Sequence, residues 1–207
     1  LDTFAKNLQD TQPTLFMAVP RIWTKFQLGV LERLPQKRLN TLLKLPIIGN
    51  LVKKKIQQGL GLSRARIMLT GAAPTPDALK DWYQKLGLKL QEVYAMTENC
   101  GGCTLMPIED IRSGTVGRPL PNVRLKVDPN NGEVLMKAPW MMRGYYRDEE
   151  KTNLVLRDGW LHTGDQGELT EDGYLKLTGR VSDTFKSAKG KYIVPAPIEW
   201  GFAENTF

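Results

Sequence analysis

The sequence predicts an α/β segment that is part of a parallel sheet, followed by a small antiparallel, barrel-like β subdomain. Two observations carry this. In the first half, Arg66–Thr70 is a short apolar run ending at Gly71, Pro76–Leu86 is an amphipathic helix, and Lys89–Tyr94 returns as a strand. Strand, helix, strand with short loops is the order of a parallel sheet. From about Arg112 turn signals become dense, at Asp128-Pro129-Asn130-Asn131-Gly132, Arg157-Asp158-Gly159 and Glu171-Asp172-Gly173. Short alternating runs lie between them, which is the pattern of antiparallel strands.

Taken in order, Asp2–Gln12 and Pro20–Leu34 have helical spacing, with Pro20 at a helix start. Leu39–Leu60 reads as a helix interrupted by Pro46 and Gly49. Thr75 is expected to cap the Pro76–Leu86 helix, with Pro76 in its first turn. Strands are expected at Val123–Val127, Glu133–Lys137, Gly167–Thr170 and Tyr174–Thr178. The expected divisions are 1–110, 111–180 and 181–207.

A chain of 207 residues, 41% hydrophobic and 25% charged, can bury a core and reads as globular. No apolar run has the length of a membrane-spanning helix. The first ten residues lack the basic start and apolar stretch of a signal peptide. Without an initiator Met, the chain is expected to be a piece of a longer one. The net charge of +7 is unevenly placed. Residues 33–66 hold nine cations, Arg33 to Arg66, and no acid; the rest has 20 basic against 22 acidic residues. Such a patch attracts anions. A solvated helical surface is the bland reading, and peripheral membrane contact through 33–66 is the sharper one. Nucleic acid is not an expected partner, because no aromatic interleaving or helix-turn-helix pattern accompanies the charge.

Cys100-Gly101-Gly102-Cys103 has the spacing of a redox pair or half a zinc site. A zinc site needs about four ligands, and the chain has no second pair and a single histidine, His162. Two small side chains lining a loop is the preferred reading. Two cysteines suit a reducing cytoplasm, which is the expected location, with membrane association through the basic stretch.

Chemistry-bearing residues leave the expected strand ends. Gly71-Ala72-Ala73-Pro74 is a small-residue turn after a strand, where a ligand can touch backbone. Glu92-Val93-Tyr94-Ala95-Met96-Thr97-Glu98 releases an aromatic face, a hydroxyl and a carboxylate together. Tyr94 suits a base, Thr97 a phosphate oxygen, and Glu98 the hard cation Mg²⁺. In Thr163-Gly164-Asp165 a carboxylate beside a glycine can accept both ribose hydroxyls. In Gly179-Arg180-Val181-Ser182-Asp183, Arg180 offers a planar fork of donors. Each piece is modest alone; their order makes the signal.

Together these segments resemble the adenylate-forming superfamily of acyl-CoA synthetases, aryl-CoA ligases and peptide-synthetase adenylation domains. Gly71–Pro74 resembles its adenine-side loop, and Tyr94–Glu98 its Tyr-Gly-x-Thr-Glu motif. Gly132–Arg147, with Gly144-Tyr145-Tyr146, resembles its Gly-Glu…Gly-Tyr segment. Thr163-Gly164-Asp165 matches its Thr-Gly-Asp motif, and Gly179–Glu199 resembles its hinge segment. The resemblance implies that 1–110 is the α/β half of an adenylation domain, 111–180 its β subdomain, and 181–207 the hinge and the start of a mobile lid. It implies ATP or AMP and Mg²⁺ as bound groups, and coenzyme A as a substrate. Gly71, Ala72 and Ala73 would line the adenine side, with Ala95 and Met96 in the same nucleotide site. Tyr94 would stack on adenine, and Glu92 would meet its amino group. Thr97 would bind the α-phosphate, Glu98 the Mg²⁺ and Asp165 the ribose, with Arg180 nearby and Ser182 at the hinge. Ala95 departs from the usual glycine, Ser182 from the usual Asp or Lys, and Ala196-Pro197-Ile198-Glu199 from the usual ending.

Thr14–Trp23 resembles the segment before an extra helical region of long-chain fatty-acyl-CoA synthetases, and Lys186–Tyr192 also looks fatty-acyl-like. A fatty acid is therefore the expected acid. An aryl or short-chain acid is the alternative within the enzyme class, and a non-catalytic adenylate-binding module or a basic surface-binding protein lies outside it. Ser113-Gly114-Thr115-Val116-Gly117-Arg118-Pro119 looks like a phosphate loop but lacks a lysine after the proline and leads into a strand. With no other phosphate loop and no C-terminal lysine, no catalytic set is complete here, and the chain alone is expected to be inactive.

Overall fold

The computed structural model describes residues 3–183, the short pieces 185–186 and 192–193, and Pro195. It forms two compact units, Leu1–Gln91 and Glu92–Phe207.

The first unit holds α1 (Phe4–Thr11), β1 (Leu15–Ala18), α2 (Pro20–Arg33), α3 (Gln36–Leu43), α4 (Pro46–Gly59), β2 (Ile67–Gly71) and α5 (Asp77–Lys85). β3 (Leu90–Tyr94) runs across the boundary between the units. β1 and β2 are parallel, with Leu15 opposite Ile67. Prolines punctuate the helices. A residue before proline is driven from the α region by the ring's Cδ. Val19, Leu34 and Leu45 are accordingly extended, with ψ of 156°, 90° and 118°. Pro20 and Pro46 then open α2 and α4, where a missing N–H costs nothing. The interrupted 39–60 helix is thus two helices. The break lies before Pro46, and Gly49 sits inside α4, where a Cβ would lie 2.9 Å from the Leu43 carbonyl oxygen. Thr75 does not cap α5. Pro76 occupies that position without a side-chain cap, and the Thr75 hydroxyl instead pairs with that of Thr70 at 2.9 Å, clamping the turn after β2.

The core of this unit is built on Trp23. Its ring is fully buried and meets Phe16 and Tyr83 edge-on at centroid distances of 5.2 and 5.1 Å. Its indole N–H points at the carbonyls of Ala18 (3.2 Å) and Leu69 (3.3 Å), on β1 and β2. Tyr83 of α5 donates its hydroxyl to the Trp23 carbonyl at 2.6 Å. One residue therefore ties two strands and two helices.

In the second unit β4 (Thr104–Leu105) runs antiparallel to the end of β3, and β5 (Arg118–Pro119) pairs with β4. β6 (Arg124–Val127), β7 (Glu133–Lys137), α6 (Glu149–Val155), β8 (Leu156–Arg157), β9 (Trp160–Leu169) and β10 (Leu175–Arg180) follow. They form an antiparallel sheet in the order β10-β9-β7-β6, with β8 on β9. β11 (Phe185–Lys186) and β12 (Tyr192–Ile193) make a separate antiparallel pair. The expected fold class, α/β followed by antiparallel β, is what forms. The strand expected at 167–170 starts earlier, at Trp160. Leu161 is buried and pairs with both Met136 and Leu156, so tertiary pairing extends a strand that local pattern reads as short.

The Ser113–Pro119 loop is structural. Val116 donates to the Leu175 carbonyl (2.8 Å) and Gly117 accepts from the Leu175 N–H (2.9 Å), so the loop is laced to β10. Gly117 has φ +89°, and a Cβ there would come within 2.2 Å of the Leu105 carbonyl carbon. Beside it, the Tyr174 ring lies under the guanidinium groups of Arg112 and Arg118, at 4.3 and 4.5 Å.

Two stability outcomes follow. Trp23→Ala, which empties the centre of the first unit, is expected to cost about 3–5 kcal/mol in chemical denaturation. Gly117→Ala combines backbone strain with a backbone clash and is expected to cost at least about 2 kcal/mol by the same measurement.

Candidate functional site

In the second unit Tyr94 and Arg180 meet at one buried carboxylate, that of Asp165. Between the pairs Leu135–His162 and Glu133–Gln166, β9 spends two residues more than β7, so Thr163-Gly164-Asp165 is a bulge. Gly164 supplies φ +73° there. β10 has its own extra residue between Leu177 and Gly179, and this sets Arg180 opposite Asp165. Bulges re-aim side chains and gather beside functional sites.

The bulge is held on both sides. Thr163 donates its hydroxyl to the Val134 carbonyl at 2.7 Å and accepts from the Asp165 N–H at 3.1 Å. Glu133 Oε1 accepts from the Gly164 N–H at 2.9 Å, while its Oε2 lies 3.0 Å from His162 Nδ1. That nitrogen is also 2.9 Å from Arg157 Nη2, so its tautomer selects the partner.

Asp165 is 9% exposed, and its two oxygens have different partners. Tyr94, at the end of β3, donates its hydroxyl to Oδ2 at 2.7 Å. Arg180 Nε stands 3.3 Å from Oδ1, on a side chain that is largely exposed. Burial first, and then the Asp165 charge, hold the Tyr94 phenol above its ordinary range, so Tyr94 stays a donor. The same two causes push the buried Cys103 thiol up to about 12. Cys100 is exposed, and both cysteines are free.

After Tyr94 the chain turns sharply. Thr97–Asn99 forms a single 3₁₀ turn, closed by the buried Asn99, whose Oδ1 accepts from the Met96 N–H at 3.0 Å. Asn99 Nδ2 reaches the Met136 sulfur at 3.1 Å. Cys100 ends the turn in the left-handed region at φ 52°. The turn leaves Thr97 exposed and Glu98 half-buried. Glu98 is gripped by the 140s loop: its carbonyl accepts from the Met142 N–H at 2.8 Å, and Oε1 accepts from the Tyr145 hydroxyl at 2.7 Å. That bond, and then burial, push the Tyr145 phenol up to about 12. Thr152 of α6 in turn accepts from the Tyr145 N–H at 2.8 Å, and Lys151 lies 4.3 Å from the ring centroid. Among the described residues no group of three or more His, Cys, Asp or Glu could hold a metal. Glu98 fits as a single-carboxylate ligand, the mode in which Mg²⁺ takes its other oxygens from phosphate and water.

Glu92, Tyr94, Ala95, Met96, Thr97, Glu98, Asp165 and Arg180 thus all belong to the second unit. Glu92 is buried, and its carbonyl accepts from the Met106 N–H at 2.9 Å. Gly71, Ala72 and Ala73 belong to the first, where Ala72 takes φ 66° at the end of β2. Ser182 is exposed and pairs with Asp183 Oδ1 at 2.9 Å. Most of the hinge stretch beyond it, with 187–191 and 196–199, lies outside the described residues. Sequence reasoning gave no role to Asn99, Glu133 or Tyr145. Glu133 and Tyr145 stood in the recognised Gly-Glu and Gly-Tyr pairs, but their partners lie 31 and 47 residues away.

Residues 1–146 match the family model described as AMP-binding enzyme. A putative fatty-acid–CoA ligase, fadD11 of Mycobacterium tuberculosis, is 33% identical over 95% of this chain and 40% of its own length. The chain therefore spans well under half of that relative. Among solved structures, a Mycobacterium tuberculosis fatty acyl CoA synthetase superposes with a TM-score of 0.65 at 28% identity, over 95% of this chain and 36% of the other. The o-succinylbenzoate CoA synthetase MenE of Bacillus subtilis, solved with its acyl-adenylate intermediate, gives 0.72 at 24% identity, over 94% and 36%. The match extends over both the Tyr94–Glu98 turn and the Gly144–Tyr145 loop that grips it, and the chain belongs to the AMP-binding enzyme family of adenylate-forming acyl-CoA synthetases.

Proposed function

We propose that this chain is the nucleotide-binding portion of an ATP-dependent fatty-acid–CoA ligase. Such an enzyme joins a carboxylate to ATP, releasing pyrophosphate and an acyl-adenylate, and coenzyme A then displaces AMP as the thioester forms. The observation that carries the reading is the Asp165 carboxylate, pinned through Tyr94 and Arg180 in the same unit as the Thr97–Glu98 turn. A buried, oriented carboxylate suits the two hydroxyls of a ribose.

In this reading Asp165 holds the ribose, and Arg180 balances its charge. Tyr94 fixes Asp165 with its hydroxyl and stacks its ring on adenine. Glu92, Ala95 and Met96 line the base. Thr97 donates to the α-phosphate. Glu98 holds Mg²⁺, which neutralises phosphate charge when bound. Attack of one anion on another needs positioning and positive charge above all. Ser182 is the hinge, and the chain alone lacks a complete catalytic set. The fatty-acid assignment is supported by the names of the relatives and by Thr14–Trp23 with the basic helices after it.

Acid-dependent ATP–pyrophosphate exchange tests this. A protein carrying this segment at the full length of its relatives is expected to exchange with long-chain acids and not with aromatic or short ones, while the 207-residue chain does not exchange. Exchange with aromatic acids alone would replace the fatty acid, and none with any acid would remove the ligase assignment.

In that longer protein, Asp165→Asn keeps the shape and removes the charge. It is expected to raise the KM for ATP about 10–100-fold, as loss of a charged hydrogen bond does, with an unchanged circular dichroism spectrum. Tyr145→Phe frees Glu98 without touching the nucleotide. It is expected to raise the Mg²⁺ concentration needed for half-maximal exchange about 10–100-fold, the usual effect of losing an outer partner of a metal ligand.

A further inference from the structure

We propose that Glu133 is a positioning residue for the nucleotide's ribose: through the Gly164 N–H it aims the Asp165 carboxylate, which rests on the reading of Asp165 as the ribose ligand. Glu133 opens β7 and is 8% exposed. A carboxylate this buried is costly unless hydrogen bonds meet it. An apolar side chain would fill the same strand position without that cost. The bulge takes Gly164 out of register with β7, and the Glu133 side chain supplies the acceptor that a strand carbonyl otherwise would. Its Oε1 accepts from the Gly164 N–H at 2.9 Å. Its Oε2 lies 3.0 Å from His162 Nδ1, which anchors the carboxylate when that nitrogen carries the proton.

Glycine is free to leave the left-handed region, and nothing but its hydrogen bonds keeps Gly164 at φ +73°. No atom lies within 4 Å of where its Cβ would be, so packing does not hold it. Its N–H is held by Glu133, and its carbonyl accepts from the Val181 N–H at 2.9 Å. Asp165 is the next residue on one side of this link. Val181 follows Arg180, whose Nε stands 3.3 Å from Asp165 Oδ1. One glycine thus ties Glu133 to both members of the Asp165–Arg180 pair. Misplacing a binding group by about 1 Å can cost on the order of 100-fold.

Calorimetry on the longer protein carrying this segment tests the role, by comparing dissociation constants for ATP and 2′,3′-dideoxy-ATP with Mg²⁺. The ratio reads the ribose contact alone. Asp165→Ala, which removes both acceptors, marks its full loss. Glu133→Asp keeps the charge, shortens the reach to Gly164 and avoids the cavity that alanine would leave. It is expected to lower the preference for ATP about tenfold, as loss of a charged hydrogen bond does. Glu133→Gln keeps the reach and an acceptor oxygen, and is expected to stay within about threefold of the unaltered protein. Unchanged thermal melts would show the fold intact. A preference kept in Glu133→Asp but lost in Asp165→Ala would overturn the inference and leave the ribose reading standing. So would weaker binding of both nucleotides at a constant ratio, the mark of a merely structural role. Equal loss in the Gln and Asp variants would show charge at work and overturn positioning through Gly164. No preference for ATP in the unaltered protein would overturn the ribose reading and this inference together.

Discussion

A buried carboxylate needs hydrogen-bond and charge partners, and the second unit supplies them at Asp165. Two bulges, one in β9 and one in β10, bring Arg180 opposite it. Tyr94 closes the other oxygen from a different sheet. Thr163 and Glu133 occupy the bulge's own backbone groups, so the irregular segment leaves few polar atoms unpaid. The aspartate and the two sheets therefore specify one another. The same charge helps to keep Tyr94 and Cys103 protonated.

The Thr97–Glu98 turn shows a second way of holding polar residues at a strand end. A strand that simply stopped would leave both side chains free to rotate. Here Asn99, fully buried, fixes the turn from inside, while Tyr145 and Met142 fix Glu98 from outside. Preorganised groups need no rearrangement when charge arrives. The cost falls on α6 and its Asp148 cap, which hold the 140s loop in place through Thr152.

The first unit has a different logic. Proline sets the starts of α2, α3 and α4, and the unit's centre is aromatic because one large residue can reach two strands and two helices at once. Trp23 does this with its ring, its N–H and its carbonyl. The helices that proline sets apart are the basic ones, and the proline break places Ile47 at a helix start in solvent.

Sequence by itself determined the order of elements, the two-part fold class and the proline-set helix starts, and it supplied the residue types of the proposed nucleotide site. These are local: periodicity, turn chemistry and short motifs act over a few neighbouring residues. Only the tertiary structure decided what each residue touches. It made Thr75 a clamp on Thr70 in place of a cap, extended β9 back to Trp160, made Thr163–Asp165 a bulge, and joined Tyr94 to Asp165 across 71 residues and Tyr145 to Glu98 across 47. Such pairings depend on sheet register and on which group can satisfy a buried charge, and both are settled when distant segments pack together.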